Sequence, residues 1–216
     1  MIRKNYIPTI NINPILKNNF NSKATLKITR EIEKACVEVG FFQIIGHGIK
    51  LRKINKVCKI GENFFKSNKN NKFKLAPKKW NKKSKNIYRG YFPNEVNGKE
   101  GLDLGDLKVT KDFSKKTRNQ YIEHLSIERS FNKQSIEKLA DYFENLFNLS
   151  ETLFKSIIKL YKKDPNLSKK VFSRLKTLST LRFNYYPNQS KPVEISKQDG
   201  VALGCETHVD SGIFTV

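Results

Sequence analysis

Apolar positions along the chain follow two rhythms, a helical one over most of its first three quarters and a strand-like one after Asp164-Pro165. Residues 6–12, YIPTINI, alternate apolar and polar around Pro8, which predicts a short edge strand because proline gives no N–H to a ladder. A helix is predicted next, over SKATLKITREIEKACVEVG. Ser22 can cap its start, Ile28, Ile32, Ala35 or Cys36, and Val39 recur at helical spacing, and Gly40 supplies the stop. FFQII at 41–45 reads as a buried strand that ends in the turn Gly46-His47-Gly48. A second helix follows at about 50–66, with Ile54, Val57, Gly61 and Phe64 or Phe65 on one side.

From Ser67 to about Lys116 the periodicity fades and Asn, Lys and Gly dominate. This predicts loops, with the aromatic island NIYRGYFPNE at 86–95 folded over something. Helical spacing returns at 134–163 through Ile136, Leu139, Phe143, Leu146 or Phe147, Leu153, Phe154, Ile157, Ile158 and Tyr161. One kinked helix or two short ones fit, broken near Asn148 or Ser150. LSTLRFNYYP at 178–187 then has period two. Ser179, Leu181, Phe183 and Tyr185 share one face, and Thr180, Arg182, Asn184 and Tyr186 the other. A turn-rich stretch at 188–200 leads into VALGCETHVDSGIFTV, again strand-like. The chain stops inside the β-branched run Ile213-Phe214-Thr215-Val216, where a sheet begun at 178 has only two or three strands. The expectation is the front portion of a longer protein.

With 216 residues and 38% hydrophobic content, the chain is long and apolar enough to bury a core, which excludes wholesale disorder. No uncharged apolar run reaches the ~20 residues a membrane span requires, and the start has no secretory pattern, so a cytoplasmic protein is expected. Three cysteines, Cys36, Cys58 and Cys205, form no C-x-x-C pair and are expected to be reduced, mostly packed thiols. The formal charge of +22 invites a nucleic-acid reading. Yet only eight of the 42 basic residues are Arg, the side chain suited to bidentate phosphate and base contacts. The lysines travel with Asn and Ile, a bias of A/T-rich coding. This favours a solvated basic surface over a specific nucleic-acid site.

His208 and Asp210 are the sharpest chemical feature. Residues i and i+2 on a strand send both side chains to one face, where an imidazole nitrogen and a carboxylate oxygen can grip one metal ion. With a further His they would form a facial triad that leaves open positions on Fe(II). The alternative is a surface His beside an Asp that caps the Ser211-Gly212 turn. Asn184 and Tyr186 likewise share a face and can direct an amide and a phenol at one anionic ligand. Alternatively, they are a turn former and a packed strand aromatic.

IPTINI near the start, EVGFFQIIGHGI at 38–49, RGYFP at 89–93, LRFNYYP at 181–187 and GCETHVDSGIFTV at 204–216 occur in this order. The arrangement resembles the isopenicillin N synthase-like group of iron and 2-oxoglutarate-dependent oxygenases, over nearly the whole chain. That resemblance implies an α+β fold, with an N-terminal helical region over 1–120 flanking an incomplete double-stranded β-helix, or jelly roll, at 121–216. It implies His208 and Asp210 as iron ligands, and Asn184 and Tyr186 as contacts to the co-substrate. His47 would shape a G-H-G turn without ligating, and His124 would be solvated. Val209 stands where the family commonly has Thr; the middle residue of H-x-D points away from the metal. The second ligand His and the Arg-x-Ser pair for the distal carboxylate would lie beyond Val216, leaving the fragment inactive alone. The implied activity couples decarboxylation of 2-oxoglutarate to hydroxylation, desaturation or ring closure of a small organic substrate, using Fe(II) and O2. No specific nucleic acid and no membrane are implied as partners. A 2-oxoglutarate-independent non-haem iron oxidase and a basic binding module with a vestigial metal site are the alternatives.

Overall fold

Pro8 and the alternation after it do give a strand, β1 (Thr9–Asn11), which pairs in parallel with β2 (Gln43–Ile45) through Ile10 opposite Ile44. The computed structural model describes residues 7–17, 19–94, 98–108, 127–174, 178–188, 193–198, 200–204, 212 and 215–216. It divides into two units interleaved in sequence, Met1–Leu51 with Glu144–Ser173, and Arg52–Phe143 with Arg174–Val216.

In the first unit, Pro14 opens the one-turn helix α1 (Asn13–Leu16). Ser22 caps α2 (Lys23–Glu38), its Oγ accepting Thr25 N–H at 3.1 Å. Gly40 follows at φ +83°, the left-handed geometry of a helix stop. The buried stripe of α2 is Thr25, Thr29, Ile32 and Ala35, rotated from the predicted one. Both threonines are satisfied, Thr29 Oγ1 donating to Thr25 O at 2.9 Å and Thr25 Oγ1 to Pro14 O at 3.2 Å. They close on a core of Ile10, Ile12, Ile15, Ile32, Ala35, Leu149 and Leu153.

Three expectations are corrected here. FFQII forms a strand, but it is not buried: Phe41 is 72% and Ile45 51% exposed, because only Phe42 and Ile44 alternate inward. The cysteines at 36 and 58 are exposed free thiols and not packed ones, since each stands just off its helix's buried stripe. The helix over 134–163 is one uninterrupted element, α5 (Lys133–Leu160), followed by the short α6 (Asn166–Val171). Its interior has no Gly or Pro. Asn148 and Ser150 cost at most ~0.7 kcal/mol each in propensity, less than the ~2 kcal/mol that burying each of Leu149 and Leu153 returns.

The second unit begins with α3 (Leu51–Phe65), whose buried residues Val57, Gly61, Phe64 and Phe65 are the predicted face. The supposed loop after it is structured. Asn68 caps α4 (Lys69–Phe73), and β3 (Gly90–Phe92) pairs antiparallel with β4 (Glu100–Leu104). β4 in turn pairs antiparallel with β5 (Leu181–Tyr185), giving the order β3-β4-β5. The sheet therefore does not begin at 178; β5 completes one begun at Gly90. β4 was hidden because EGLDL carries a Gly and an Asp, poor strand formers that pairing partners on both sides override. A short hairpin, β6 (Glu194–Ile195) with β7 (Ala202–Leu203), follows. A 3₁₀ turn at Ile127–Arg129 precedes α5. Among the described residues no helix is long and apolar enough to cross a membrane.

The sheet rests on α3 through a notch: a Cβ added to Gly61 would stand 2.5 Å from the Phe183 ring. Nearby, Phe65 stacks on Tyr185 with ring centres 5.2 Å apart. Helix propensity favours Ala over Gly by about 1 kcal/mol, whereas overpacking costs about 1–3 kcal/mol. Gly61→Ala is therefore expected to lower unfolding free energy by up to about 2 kcal/mol in urea denaturation. Equal or greater stability would mean that the ring yields freely.

Candidate functional site

Cross-strand register divides the sheet into two faces, because directly opposed residues point the same way. Tyr91, Leu102 and Phe183 form a row on the α3 side. On the other side stand two rows, Gly90–Asp103–Arg182 and Phe92–Gly101–Asn184. Along β5 burial alternates, leaving Arg182 and Asn184 exposed. Tyr186 extends the alternation one step past the strand, 54% exposed, with Lys99 Nζ 5.8 Å from its ring centre. Arg182 and Asn184 thus share an accessible polar face, and Tyr186, just past the strand, is exposed as well.

Its geometry is fixed by charge. Arg182 Nε donates to Asp103 Oδ1 at 2.7 Å and Nη2 to Oδ2 at 2.6 Å, a bidentate fork. Asp103 is buried while the Arg182 side chain is 57% exposed, so the pair is anchored below and open above. Asn184 faces Gly101 across the ladder, and no side chain occupies the surface beside its amide on that strand. Beyond Gly101, Phe92 is met edge-on by Trp80, ring centres 5.7 Å apart. Arg89, buried, donates from Nη2 to Ser179 O at 3.2 Å and fixes the approach to β5. A Cβ on Gly105 would overlap the Arg89 guanidinium, so glycine is required there.

The proposed metal pair, His208 and Asp210, lies outside the described residues, as do His124 and Cys205. His47 sits between Gly46 at φ +70° and Gly48 at φ +76°, and its Nδ1 accepts Ile49 N–H at 3.2 Å. The ring belongs to the turn. Among the described residues no three His, Cys, Asp or Glu side chains gather where one metal ion could be held. Sequence reasoning placed Arg182 on this face but missed Asp103, Arg89 and Gly105. The only signal for the pair is period two in β5, and the carboxylate lies 79 positions away.

Residues 7–134 match the family described as non-haem dioxygenase in morphine synthesis N-terminal. The chain belongs to this family, that of isopenicillin N synthase-like dioxygenases dependent on iron and 2-oxoglutarate. Isopenicillin N synthase of Penicillium rubens is 24% identical over 97% of this chain and 65% of its own length. Leucoanthocyanidin dioxygenase of Malus domestica is 28% identical over 97% of the chain and 54% of its own. The chain thus spans less than two thirds of the length of these relatives. In fold it is similar to a full-length Neurospora crassa protein solved with alpha-KG and 5-formyluracil. The TM-score is 0.63 at 17% identity, over 87% of this chain and 54% of that one.

Removing Arg182 strands a buried carboxylate, but its own exposure discounts the loss. Arg182→Ala is expected to cost about 1–2 kcal/mol. The double variant with Asp103→Asn should cost less than the sum of the two singles, as read from a urea-denaturation cycle. Strict additivity would show that the fork does not couple β4 to β5.

Proposed function

We propose that the protein carrying this chain is a non-haem Fe(II) oxygenase that uses 2-oxoglutarate and O2 to oxidise a small organic substrate. In this reading 1–120 is the N-terminal helical region, and 121–216 carries linking helices and the first strands of a jelly roll that includes β5. His208 and Asp210 are two of the iron's protein ligands. The observation that carries the reading is the accessible polar face of β5 in a chain whose N-terminal region belongs to the dioxygenase family.

The donor set suits an anionic co-substrate. Asn184 contributes amide N–H donors and Tyr186 a phenolic O–H, both neutral, beside the positive groups of Arg182 and Lys99. Gly101 leaves the surface next to the Asn184 amide as backbone, which a flat dicarboxylate can approach. Arg182 is held to Asp103 and so orients the face without being drawn off to other partners. When bound, iron with 2-oxoglutarate and O2 supplies the oxidising chemistry, releasing succinate and CO2 as a C–H bond of the second substrate is oxidised.

The test is succinate release with Fe(II), 2-oxoglutarate and ascorbate, in a polypeptide extended past Val216 to the length of the relatives. His208→Ala is expected to abolish turnover. Asn184→Ala and Tyr186→Phe should each raise the KM for 2-oxoglutarate about tenfold, the loss of one hydrogen bond to a charged group. The 216-residue chain alone, supplying two ligands, should release none. Iron binding without any consumption of 2-oxoglutarate would move the oxidase alternative to first place.

A further inference from the structure

Residues 63–94 contain ten basic side chains and no acidic one, close to half of the chain's formal charge of +22. Within them, 78–86 closes on itself: Lys78 N–H donates to Asn86 O at 2.7 Å, and the Trp80 and Asn81 N–H groups both reach Pro77 O at 2.9 Å. Asn81 knits the interior, its Oδ1 accepting Lys83 N–H at 3.1 Å and its Nδ2 donating to Phe73 O at 3.1 Å. The loop's base is the buried run Leu75-Ala76-Pro77, and Trp80 is turned inward against Phe92. Compact loops with adjoining ends are ordered surface devices.

Lys78, Lys79, Lys82, Lys83 and Lys85 all stand exposed on this loop. Among the described residues none of the five has a carboxylate within ion-pair distance. Like charges held together on an ordered loop repel one another, and a polyanion relieves that repulsion while releasing its own counterions. Two residues after the loop in sequence, Tyr88 is 45% exposed.

We infer that loop 78–86, with Tyr88, is a docking surface for single-stranded nucleic acid, held through sequence-independent phosphate contacts. Lysine supplies point charges for phosphate without the forked geometry that reads bases, which agrees with the shortage of arginine. An exposed ring next to such cations provides a stacking platform for a base. A membrane surface fits less well, because Trp80 is committed to Phe92 and to Lys79, whose Nζ lies 4.7 Å from its ring centre, and the loop's exposed side chains are its lysines. The inference is independent of iron and of the co-substrate.

The experiment is fluorescence anisotropy of labelled oligothymidylate of about 30 nucleotides, titrated with the 216-residue chain across a range of salt. Binding should weaken linearly on a log–log plot against salt. Changing the five loop lysines to Gln should cost about tenfold or more at low salt and flatten the slope by about 3. A charge-matched control with Lys17, Lys23, Lys27, Lys34 and Lys50 changed to Gln should stay within about twofold of the parent. Tyr88→Ser should weaken the single strand but not a duplex. Thermal melts followed by circular dichroism confirm that the variants fold. Equal loss in both five-lysine variants would overturn the inference in favour of net charge alone. Absence of salt-dependent binding would overturn it too, as would tighter, loop-dependent binding to phosphatidylserine vesicles.

Discussion

The pairing of β4 with β5 decides which side chains of the 178–187 segment look toward α3 and which look away. It is held on both faces and at both ends of β4. On the α3 side, Glu100 Oε2 accepts from Lys72 Nζ at 2.7 Å and from Tyr91 Oη at 2.6 Å. On the opposite side, Asp103 takes the fork from Arg182. A slip of β5 by one residue against β4 would leave Asp103 buried without its guanidinium and turn Phe183 out of the Gly61 notch, while Glu100 holds β4 itself to α4 and β3. Two penalties of different kind oppose the same error. Ionic pairs that add little net stability still specify register when every alternative strands a buried charge.

Satisfaction of these charges is what makes a polar central strand tolerable. Lys72 and Glu100 side chains are each only 13% exposed, an arrangement costly for isolated ions. Lys72 Nζ therefore also reaches Phe65 O at 3.2 Å and lies 5.3 Å from the Tyr91 ring centre. The hydrogen bonds to Glu100 come from α4 and β3 and those to Asp103 from β5, so β4 is bound to three neighbours by its two carboxylates as well as by its ladders.

Helices were the legible part of the chain, since their signals are local: Ser22 and Gly40 bound α2, and the Val57, Gly61, Phe64 spacing sets the face of α3. The strands β3 and β4 were illegible because their stability comes from partners, not from propensity. Gly90, Gly101 and Asp103 argue against a strand one by one, and pairing partners override them; Asp103 is accounted for only by Arg182, 79 positions away. The break expected near Asn148 fails for the same reason in reverse, a weak local preference losing to burial of Leu149 and Leu153. At the site, period two made the shared face of Arg182 and Asn184 readable. The Asp103 partner was not, because contact across 79 positions leaves no mark in spacing.

The family match covers residues 7–134, whereas the candidate chemistry begins at Asn184. Two separate stretches of sequence would therefore support the functional reading only by association, were it not for the sheet that joins them. β3 and β4 lie inside the matched region; β5, which carries Asn184, does not. The β4–β5 ladder and the Asp103–Arg182 fork make the orientation of Asn184 a consequence of residues in the matched region. Gly101 opposite Asn184 and Asp103 opposite Arg182 are matched-region positions that adjoin what β5 presents. The matched region thereby sets, through β4, which face of β5 Arg182 and Asn184 occupy.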